Sequence, residues 1–268
     1  MPILAHRDLG GTGLPPLVIL HGMLGSSRNW QTVGRDLARH FHVLALDLRN
    51  HGDSFHAREM TYPVMAADVV AWMDGMGLQR VHLIGHSMGG KTAMRLAIDH
   101  PLRVGRLVVV DIAPKAYPHS HGLNFGAMNR LDTTALASRQ QAEDLLAADV
   151  TDWAMRKFLL TNLDRNPHGP GFRWTINLAA LTEALPTLEE NSLAPGDRFD
   201  GDVLFVLGGK SRYFLAEDER ATREFFPYVQ FASLPQSGHN PHFDTRDEFV
   251  RIVSGFLGRE GDGANVVR

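Results

Sequence analysis

Residues 81–92, VHLIGHSMGGKT, constrain the fold more than any other part of this chain. Their apolar start predicts a short buried strand at 81–84, and the residues that follow predict a helix at 88–100. Residues 85–89, GHSMG, which join these elements and open the helix, match the pattern G-x-S-x-G, in which a serine occupies a strained turn from strand to helix. The pattern therefore predicts that Ser87 stands clear of a sheet, at the carboxyl end of a strand.

A second pattern overlaps the first and points to different chemistry. Gly85, Gly90, Lys91 and Thr92 also match G-x-x-x-x-G-K-[ST], the phosphate-binding loop of nucleotide hydrolases. The apolar run that ends at Asp111 could then supply the acid that holds magnesium. A third interpretation gives the turn no catalytic role. The rest of the chain has to decide between a serine nucleophile, a nucleotide site and an ordinary turn.

Composition excludes several classes of function. The 268 residues suffice for one large domain, or for one domain with an insertion. The absence of cysteine excludes thiol catalysis, disulfides and cysteine-ligated zinc. Basic residues (27) nearly balance acidic ones (30), so no nucleic-acid partner is expected. Because the start lacks a signal-peptide pattern and no apolar run approaches about 20 residues, we expect a cytoplasmic protein with no membrane partner. The oligomeric state stays open.

Strands and helices alternate on either side of the serine turn. Buried strands are predicted at 17–20, 42–46, 81–84 and 106–111, with helices between them at 30–40, 62–76 and 88–100. This alternation predicts an α/β fold with a mostly parallel, doubly wound sheet. Ligands of such sheets bind at the carboxyl ends of the strands. Ser87 and Asp111 both follow a strand at that edge.

Residues 114–195 interrupt the alternation with amphipathic helical stretches and no clear strand. We predict that they form a helical cap over the site, inserted between two core segments, 1–113 and 196–258. Residues 259–268 are rich in glycine and polar side chains, and we expect them to form a flexible tail.

Two kinds of cap side chain could contribute to a site. Phe125 and Trp174 are apolar and could line a substrate pocket, although packing between cap helices explains them as well. His119 and His121 lie in the sequence PHSH, but no carboxylate stands at ligand spacing. We therefore predict neither a metal site nor a metal cofactor.

Two further loops resemble those of the α/β-hydrolases. His21-Gly22, directly after a buried strand, resembles their oxyanion loop. Ser237-Gly238-His239, after the last predicted strand, resembles their catalytic histidine loop. With Ser87 between them, the order along the chain is that of the superfamily. Because a nucleotide site would leave both loops unexplained, we favour a serine hydrolase with an α/β-hydrolase fold.

The resemblance implies a role for each matching position. Ser87 becomes the nucleophile and His239 its base. The backbone N–H groups of Met23 and Met88 form the oxyanion hole. The residues expected to contact substrate are His21, Gly22 and Leu24 from the loop, with Phe125 and Trp174 from the cap.

The acid of the triad is harder to place. Most α/β-hydrolases take it after the penultimate strand, here predicted at 203–207, but Ser211 stands at that position. Asp111 lies at the end of the strand that follows the serine helix, where some members of the superfamily carry their acid. We therefore predict Asp111 as the third member of the triad, with Glu217 and Asp218 as alternatives.

Longer segments resemble a narrower group. The sequences DIAPKAY, AMNRLD, FLLTNLDRN, GFRWTINLAAL and LDLRNHGDS are similar to those of YbfF-type esterases, and the resemblance covers essentially the whole chain. In that group too, the acid comes from the position of Asp111. The resemblance implies a serine carboxylesterase that acts without a cofactor on short to medium acyl esters, with thioesters as a further class of substrate. In LDLRNHGDS, Asp47 and Arg49 are expected to pair and fix the loop.

Two other functions would use the same residues. A ligand-binding protein could keep the triad but turn over slowly. A cofactor-free perhydrolase or a C–C bond hydrolase would use the triad on a different substrate.

Overall fold

A seven-stranded sheet forms the centre of the molecule, of which the computed structural model describes residues 3–117 and 121–258. The strands are β1 (His6–Asp8), β2 (Pro16–Leu20), β3 (His42–Leu46), β4 (Val81–His86), β5 (Val104–Val110), β8 (Val203–Gly208) and β9 (Val229–Leu234), with β6 (Leu163–Arg165) and β7 (Phe172–Trp174) forming a separate pair. The order across the sheet is β1-β3-β2-β4-β5-β8-β9. Within the described part of the seven-stranded sheet, only β1 and β3 pair in antiparallel fashion. The mostly parallel sheet confirms the predicted fold class.

Helices cover both faces of the sheet. They are α1 (Gln31–Leu37), α2 (Tyr62–Gly75), α3 (Met88–Asp99), α4 (Gly122–Arg130), α5 (Arg139–Leu146), α6 (Trp153–Leu160), α7 (Leu178–Glu189), α8 (Asp218–Phe225), α9 (Pro241–Asp244) and α10 (Arg246–Leu257). Alternate residues of a strand enter different cores. In β5, Val108 and Val110 pack on the side of α1 and α10, whereas Leu107 and Val109 pack on the side of α2 and α3. The run LVVV is apolar throughout because both of its faces are buried.

The register of the sheet brings two polar residues to neighbouring strand ends. His86, the last residue of β4, pairs with Val110, the last residue of β5. Ser87 and Asp111 follow directly, so both lie at the carboxyl edge where ligands of parallel sheets bind. The next strand, β8, also ends at this edge, because Val206 pairs with Val110.

The chain between β5 and β8 contains helices α4 to α7 and the hairpin of β6 and β7. The expectation of no strand in this segment is wrong, because Leu163 pairs with Trp174 and Arg165 with Phe172. Strands of three residues are too short to show an alternation of apolar and polar residues. The signal was the turn sequence NPHGPG, at the end of which Gly171 adopts a φ of 69°.

The loop at residues 47–54 is fixed by other contacts than the expected Asp47–Arg49 pair. The Asp47 carboxylate accepts hydrogen bonds from the backbone N–H groups of Ser27 and Asp53. Arg49 binds Asp68 with two nitrogens, at 2.5 and 2.7 Å. The pair forms with Asp68 because helix α2 brings that carboxylate within reach of both nitrogens of the planar guanidinium.

The predicted tail, residues 259–268, lies outside the described residues, as does His119. Within the described ranges, no helix combines the length and the apolar character that crossing a bilayer requires.

Candidate active site

Ser87 occupies a strained turn between β4 and α3. Its φ of 52° and ψ of −118° lie where residues other than glycine are rare. Its N–H donates to the carbonyl of Val110 at 3.1 Å, which ties the turn to the neighbouring strand. A Cβ at Gly85 would lie 2.3 Å from the Gly89 carbonyl oxygen, and one at Gly89 would lie 2.5 Å from the Leu20 carbonyl oxygen. Both flanking glycines are therefore required for this tight turn.

This geometry rules out the phosphate-loop interpretation. A single residue, Ser87, separates the end of β4 from the start of α3, so no wide loop exists to surround phosphates. The Nζ atom of Lys91 donates to the carbonyl of Glu190 instead of standing free at the turn. The pattern match at Gly85, Gly90 and Lys91 is an accident of the serine turn.

The Asp111 carboxylate is fully buried and reaches the ring of His239. The Nδ1–H group of His239 donates to Asp111 Oδ2 at 2.8 Å. Gly208 donates its N–H to the other oxygen, Oδ1, at 2.8 Å. Asp111 follows β5 directly and has a positive φ of 50°, so its backbone is locally strained. The contact with Asp111 orients the His239 ring through Nδ1. Nε2 is the ring nitrogen that remains free of Asp111.

Ser211, which stands after β8 where most α/β-hydrolases carry their acid, contacts Asp111. Its hydroxyl donates to Asp111 Oδ2 at 2.5 Å. The serine that replaces the usual acid therefore supports the acid at the end of β5. The sequence pattern showed only that position 211 lacks a carboxylate.

The reserve acids are engaged elsewhere or lie apart. Asp218 forms an ion pair with Lys115 at 2.6 Å and accepts from the N–H of Leu215. Glu217 precedes helix α8, and in the described part of the chain no hydrogen bond or ion pair joins it to His239. Asp111 is thus the carboxylate that the structure places on the histidine.

A second histidine, His86, contacts the loop that carries His239. His86 Nε2–H donates to the backbone carbonyl of His239 at 2.8 Å. Burial lowers the pKa of His86 well below its ordinary value, so the ring stays neutral. A Cβ at Gly22 would lie 2.8 Å from His86 Nδ1, so the ring also packs on the oxyanion loop. His86 therefore joins the serine turn to both loops around it.

Met23 and Met88 line the same cavity as Ser87. An oxyanion hole formed by these two residues would require them to lie beside the serine. The cavity has a volume of about 20 Å³, enough for roughly one water molecule. It is lined by Met23, Tyr62, Ser87, Met88, Lys91, Ile112, Tyr117, His121, Leu188, Glu189 and Tyr213. The ring of Tyr213 stacks on that of His239 with 3.9 Å between centroids.

None of the five residues expected to contact substrate lines this cavity. His21 is 1% exposed, its Nδ1–H donates to the Gly22 carbonyl, and its Nε2 accepts from the N–H of Leu48. Burial lowers the pKa of His21, and the ring links two loops through its hydrogen bonds. Leu24 has a φ of 60° and its side chain is buried. The other members of the set pack elsewhere: Gly22 against His86, Phe125 within the cap core and Trp174 in β7.

The polar residues of the cavity are mainly ones that sequence reasoning missed. Lys91 was interpreted as an ordinary helix residue, but it is 2% exposed and its Nζ faces the rings of Tyr117 and Tyr62 at 4.9 and 5.5 Å. Its burial lowers the pKa of Lys91 to about 8. His121 lies beside Glu189, whose Oε1 accepts from the His121 N–H at 3.2 Å. A group of three residues that could hold a metal ion does not occur in the described ranges.

A larger cleft lies between helices α5 and α6. It has a volume of about 210 Å³ and is lined by Arg139, Gln140, Glu143, Lys157, Leu160 and Thr161. It contains none of the residues of the serine site, and an ion pair between Lys157 and Glu143 occupies its wall. The smaller cavity at Ser87 is therefore the candidate active site.

Comparison with known proteins agrees with the fold and the enzyme class. The α/β hydrolase fold family matches residues 15–245. The sn-1-specific diacylglycerol lipase ABHD11 of Mus musculus is 37% identical over 258 residues, covering 92% of this chain and 82% of the relative. Esterase YbfF of Escherichia coli is 30% identical, covering 90% and 92%. A solved marine microorganism esterase superposes with a TM-score of 0.92 at 33% identity, covering 96% of this chain and all of that one. The chain therefore belongs to the α/β-hydrolase family and is a hydrolase of the esterase type, as its motifs predicted.

Proposed function

We propose that this protein is a serine carboxylesterase that hydrolyses short to medium acyl esters through Ser87, His239 and Asp111. The observation that carries the proposal is the buried Asp111–His239 contact of 2.8 Å at the sheet edge where the strained turn presents Ser87. The names of the similar proteins, an esterase and a diacylglycerol lipase, support an ester of a fatty or shorter acid as the substrate.

The reaction proceeds by an acyl-enzyme. Neutral His239 takes the proton of the Ser87 hydroxyl as its oxygen attacks the ester carbonyl. The N–H groups of Met23 and Met88 bind the oxyanion that develops. His239 then protonates the leaving alkoxide, and water releases the acid by the same route. Asp111 holds the tautomer of His239 and stabilises the imidazolium. These steps require no metal and no organic cofactor.

The small cavity implies that binding rearranges its wall. A volume of about 20 Å³ holds about one water molecule, far less than an ester requires. Leu188 and Glu189, at the end of the last cap helix, form the wall opposite the serine turn. How far this wall yields sets the acyl length that the enzyme accepts. The composition continues to predict a cytoplasmic enzyme with no nucleic-acid or membrane partner.

A series of 4-nitrophenyl esters with acyl chains of increasing length tests the proposal. We expect wild-type protein to turn over the shorter esters and Ser87→Ala to lose about 10⁴–10⁶-fold in kcat, because the nucleophile is removed. Ser254→Ala is the matched control, since Ser254 is a half-buried serine on α10 whose hydroxyl oxygen is buried and does not line the cavity. Acyl thioesters form a second arm. Equal rates for wild type and Ser87→Ala would contradict the proposal. Tight binding of esters without turnover would favour the ligand-binding alternative.

A further inference from the structure

Lys91 is a buried cation whose partners differ from those of the other buried cations. Arg49 pairs with Asp68 and Arg106 with Asp202, and the half-buried Arg95 pairs with both Asp99 and Asp197. In the described ranges, by contrast, no carboxylate lies within 4.0 Å of Lys91 Nζ. Among the residues that the structure describes, the hydrogen bond of its ammonium group runs to the backbone carbonyl of Glu190, at 2.6 Å.

The surroundings of Lys91 supply few acceptors for its charge. An ammonium group has three N–H donors, of which the Glu190 carbonyl takes one. The faces of Tyr62 and Tyr117 stabilise the cation by cation–π interaction. The hydroxyls of these rings donate to other groups, the carbonyls of Leu188 and Tyr213. The remaining donors of Lys91 have no anion among these neighbours.

Two further titratable groups face the same space. Glu189 raises the pKa of Lys91 by its charge, as Glu190 does, but burial outweighs both. The carboxylate of Glu189 is bonded to the backbone of His121, and its charge lies beyond ion-pair distance from Nζ. Burial lowers the pKa of His121, with Lys91 adding to the effect. The neutral ring of His121 therefore leaves Lys91 as the cation of this cavity.

Lys91 lies one helical turn from the nucleophile. Its N–H donates to the Ser87 carbonyl at 3.0 Å, and both side chains line the same cavity. A buried charge is costly unless an opposite charge reaches it. A substrate that enters this cavity can supply that charge.

We propose that Lys91 forms a carboxylate-binding subsite beside Ser87, so that the enzyme prefers esters whose acyl or alcohol part carries a carboxylate. The inference rests on the proposed esterase function and names its substrate class. Lys115 offers a contrast within the same region, because it faces the ring of Tyr117 at 5.4 Å but already pairs with Asp218 and does not line the cavity.

Two pairs of substrates test the subsite. Mono-4-nitrophenyl adipate and its methyl ester differ by a carboxylate in the acyl part, and 4-acetoxybenzoate and its methyl ester differ by one in the alcohol part. We expect wild-type kcat/KM to favour the charged member of one pair by about tenfold or more, as a charge-assisted hydrogen bond provides. Equal or lower kcat/KM for the charged member of both pairs would overturn the proposal.

Variants separate binding from a structural role. Lys91→Met should reduce the charged-to-neutral ratio by about tenfold or more, whereas Lys91→Arg should keep most of it. Lys115→Met is the matched control and should leave the ratio at the wild-type value. If Lys91→Met lowers kcat/KM for both substrates of a pair by the same factor, Lys91 only supports the structure and the proposal is wrong.

Wild-type protein alone provides a second test. Because burial lowers the pKa of Lys91 to about 8, the ammonium is charged below this pH and loses its proton above it. The charged-to-neutral ratio of kcat/KM should therefore fall as the pH rises through about 8, while effects of His239 cancel in the ratio. A ratio that stays flat from pH 6.5 to 9 would contradict the subsite.

Calorimetry of adipate binding to Ser87→Ala makes the result independent of turnover. Binding that Lys91→Met abolishes in this background supports the subsite even if no ester is hydrolysed. Absence of binding, together with hydrolysis of neutral esters, would refute the subsite and leave the esterase proposal intact.

Discussion

The two sides of the cavity differ in how their charged groups are held. On the core side, formed by the strand ends, the Asp111 carboxylate accepts hydrogen bonds from Gly208, Ser211 and His239. On the α7 side, where the residue after α7 contacts Lys91 of helix α3, the Lys91 ammonium is held by one backbone carbonyl and two aromatic rings. Because the Asp111 carboxylate accepts hydrogen bonds at both of its oxygens, it is suited to hold the ring of His239 in place. Because the Lys91 ammonium has three N–H donors and the Glu190 carbonyl takes one, it is suited to bind a substrate carboxylate.

The largest effect should follow from removing the charge on the core side. Asp111→Asn should lower kcat by up to about 10⁴-fold, because the amide favours the wrong tautomer of His239. Steady-state kinetics with 4-nitrophenyl butyrate measures the loss. Asp218→Asn is the control, since that carboxylate pairs with Lys115. If Asp218→Asn or Glu217→Gln produced the large loss and Asp111→Asn did not, Asp111 would not be the acid.

A smaller effect on the core side tests the support of the histidine loop. His86→Leu should lower kcat by about 10–100-fold with little change in KM, because the loop loses the hydrogen bond to the His239 carbonyl. His86→Gln retains a donor and should recover part of the rate. Melting temperatures of both variants show whether each still folds. Equal rates for wild type and the folded His86→Leu variant would show that this bond does not position His239.

The smallest effect should follow from changing the apolar wall of the cavity on the α7 side. Leu188 lines the cavity, and Leu188→Ala creates space for additional methylene groups. The ratio of kcat/KM for 4-nitrophenyl decanoate to that for the butyrate should therefore rise by roughly tenfold. Leu185→Ala is the control on the same helix, because Leu185 does not line the cavity. A ratio that responds equally to both substitutions would place acyl selectivity elsewhere.

The core side could be predicted because its information is local. The serine turn depends on five consecutive residues whose glycines are needed for close backbone contacts. The alternation of strands and helices then places Ser87 and Asp111 at one edge of the sheet. His239 required only its loop and its order along the chain. Resemblance to esterases added the choice of Asp111 over the acids after β8.

The remaining features depend on contacts between distant residues. Ser211 donates to a carboxylate 100 positions earlier, and Lys91 to a carbonyl 99 positions later. No local pattern marks either contact, so Ser211 was interpreted as a missing acid and Lys91 as an ordinary helix residue. His21 was placed at the substrate by resemblance, but its ring bonds to Leu48. Arg49 pairs with Asp68 in α2 rather than with Asp47, which is closer in sequence.

Labelling with a fluorophosphonate tests the central claim most directly, because the reagent reacts with an activated serine. Peptide mass spectrometry of wild-type protein should find one adduct, on Ser87. His239→Gln should react far more slowly, since Ser87 then lacks its base. An adduct on a different serine, or equal labelling of wild type and His239→Gln, would contradict the account of Ser87 as a nucleophile activated by His239.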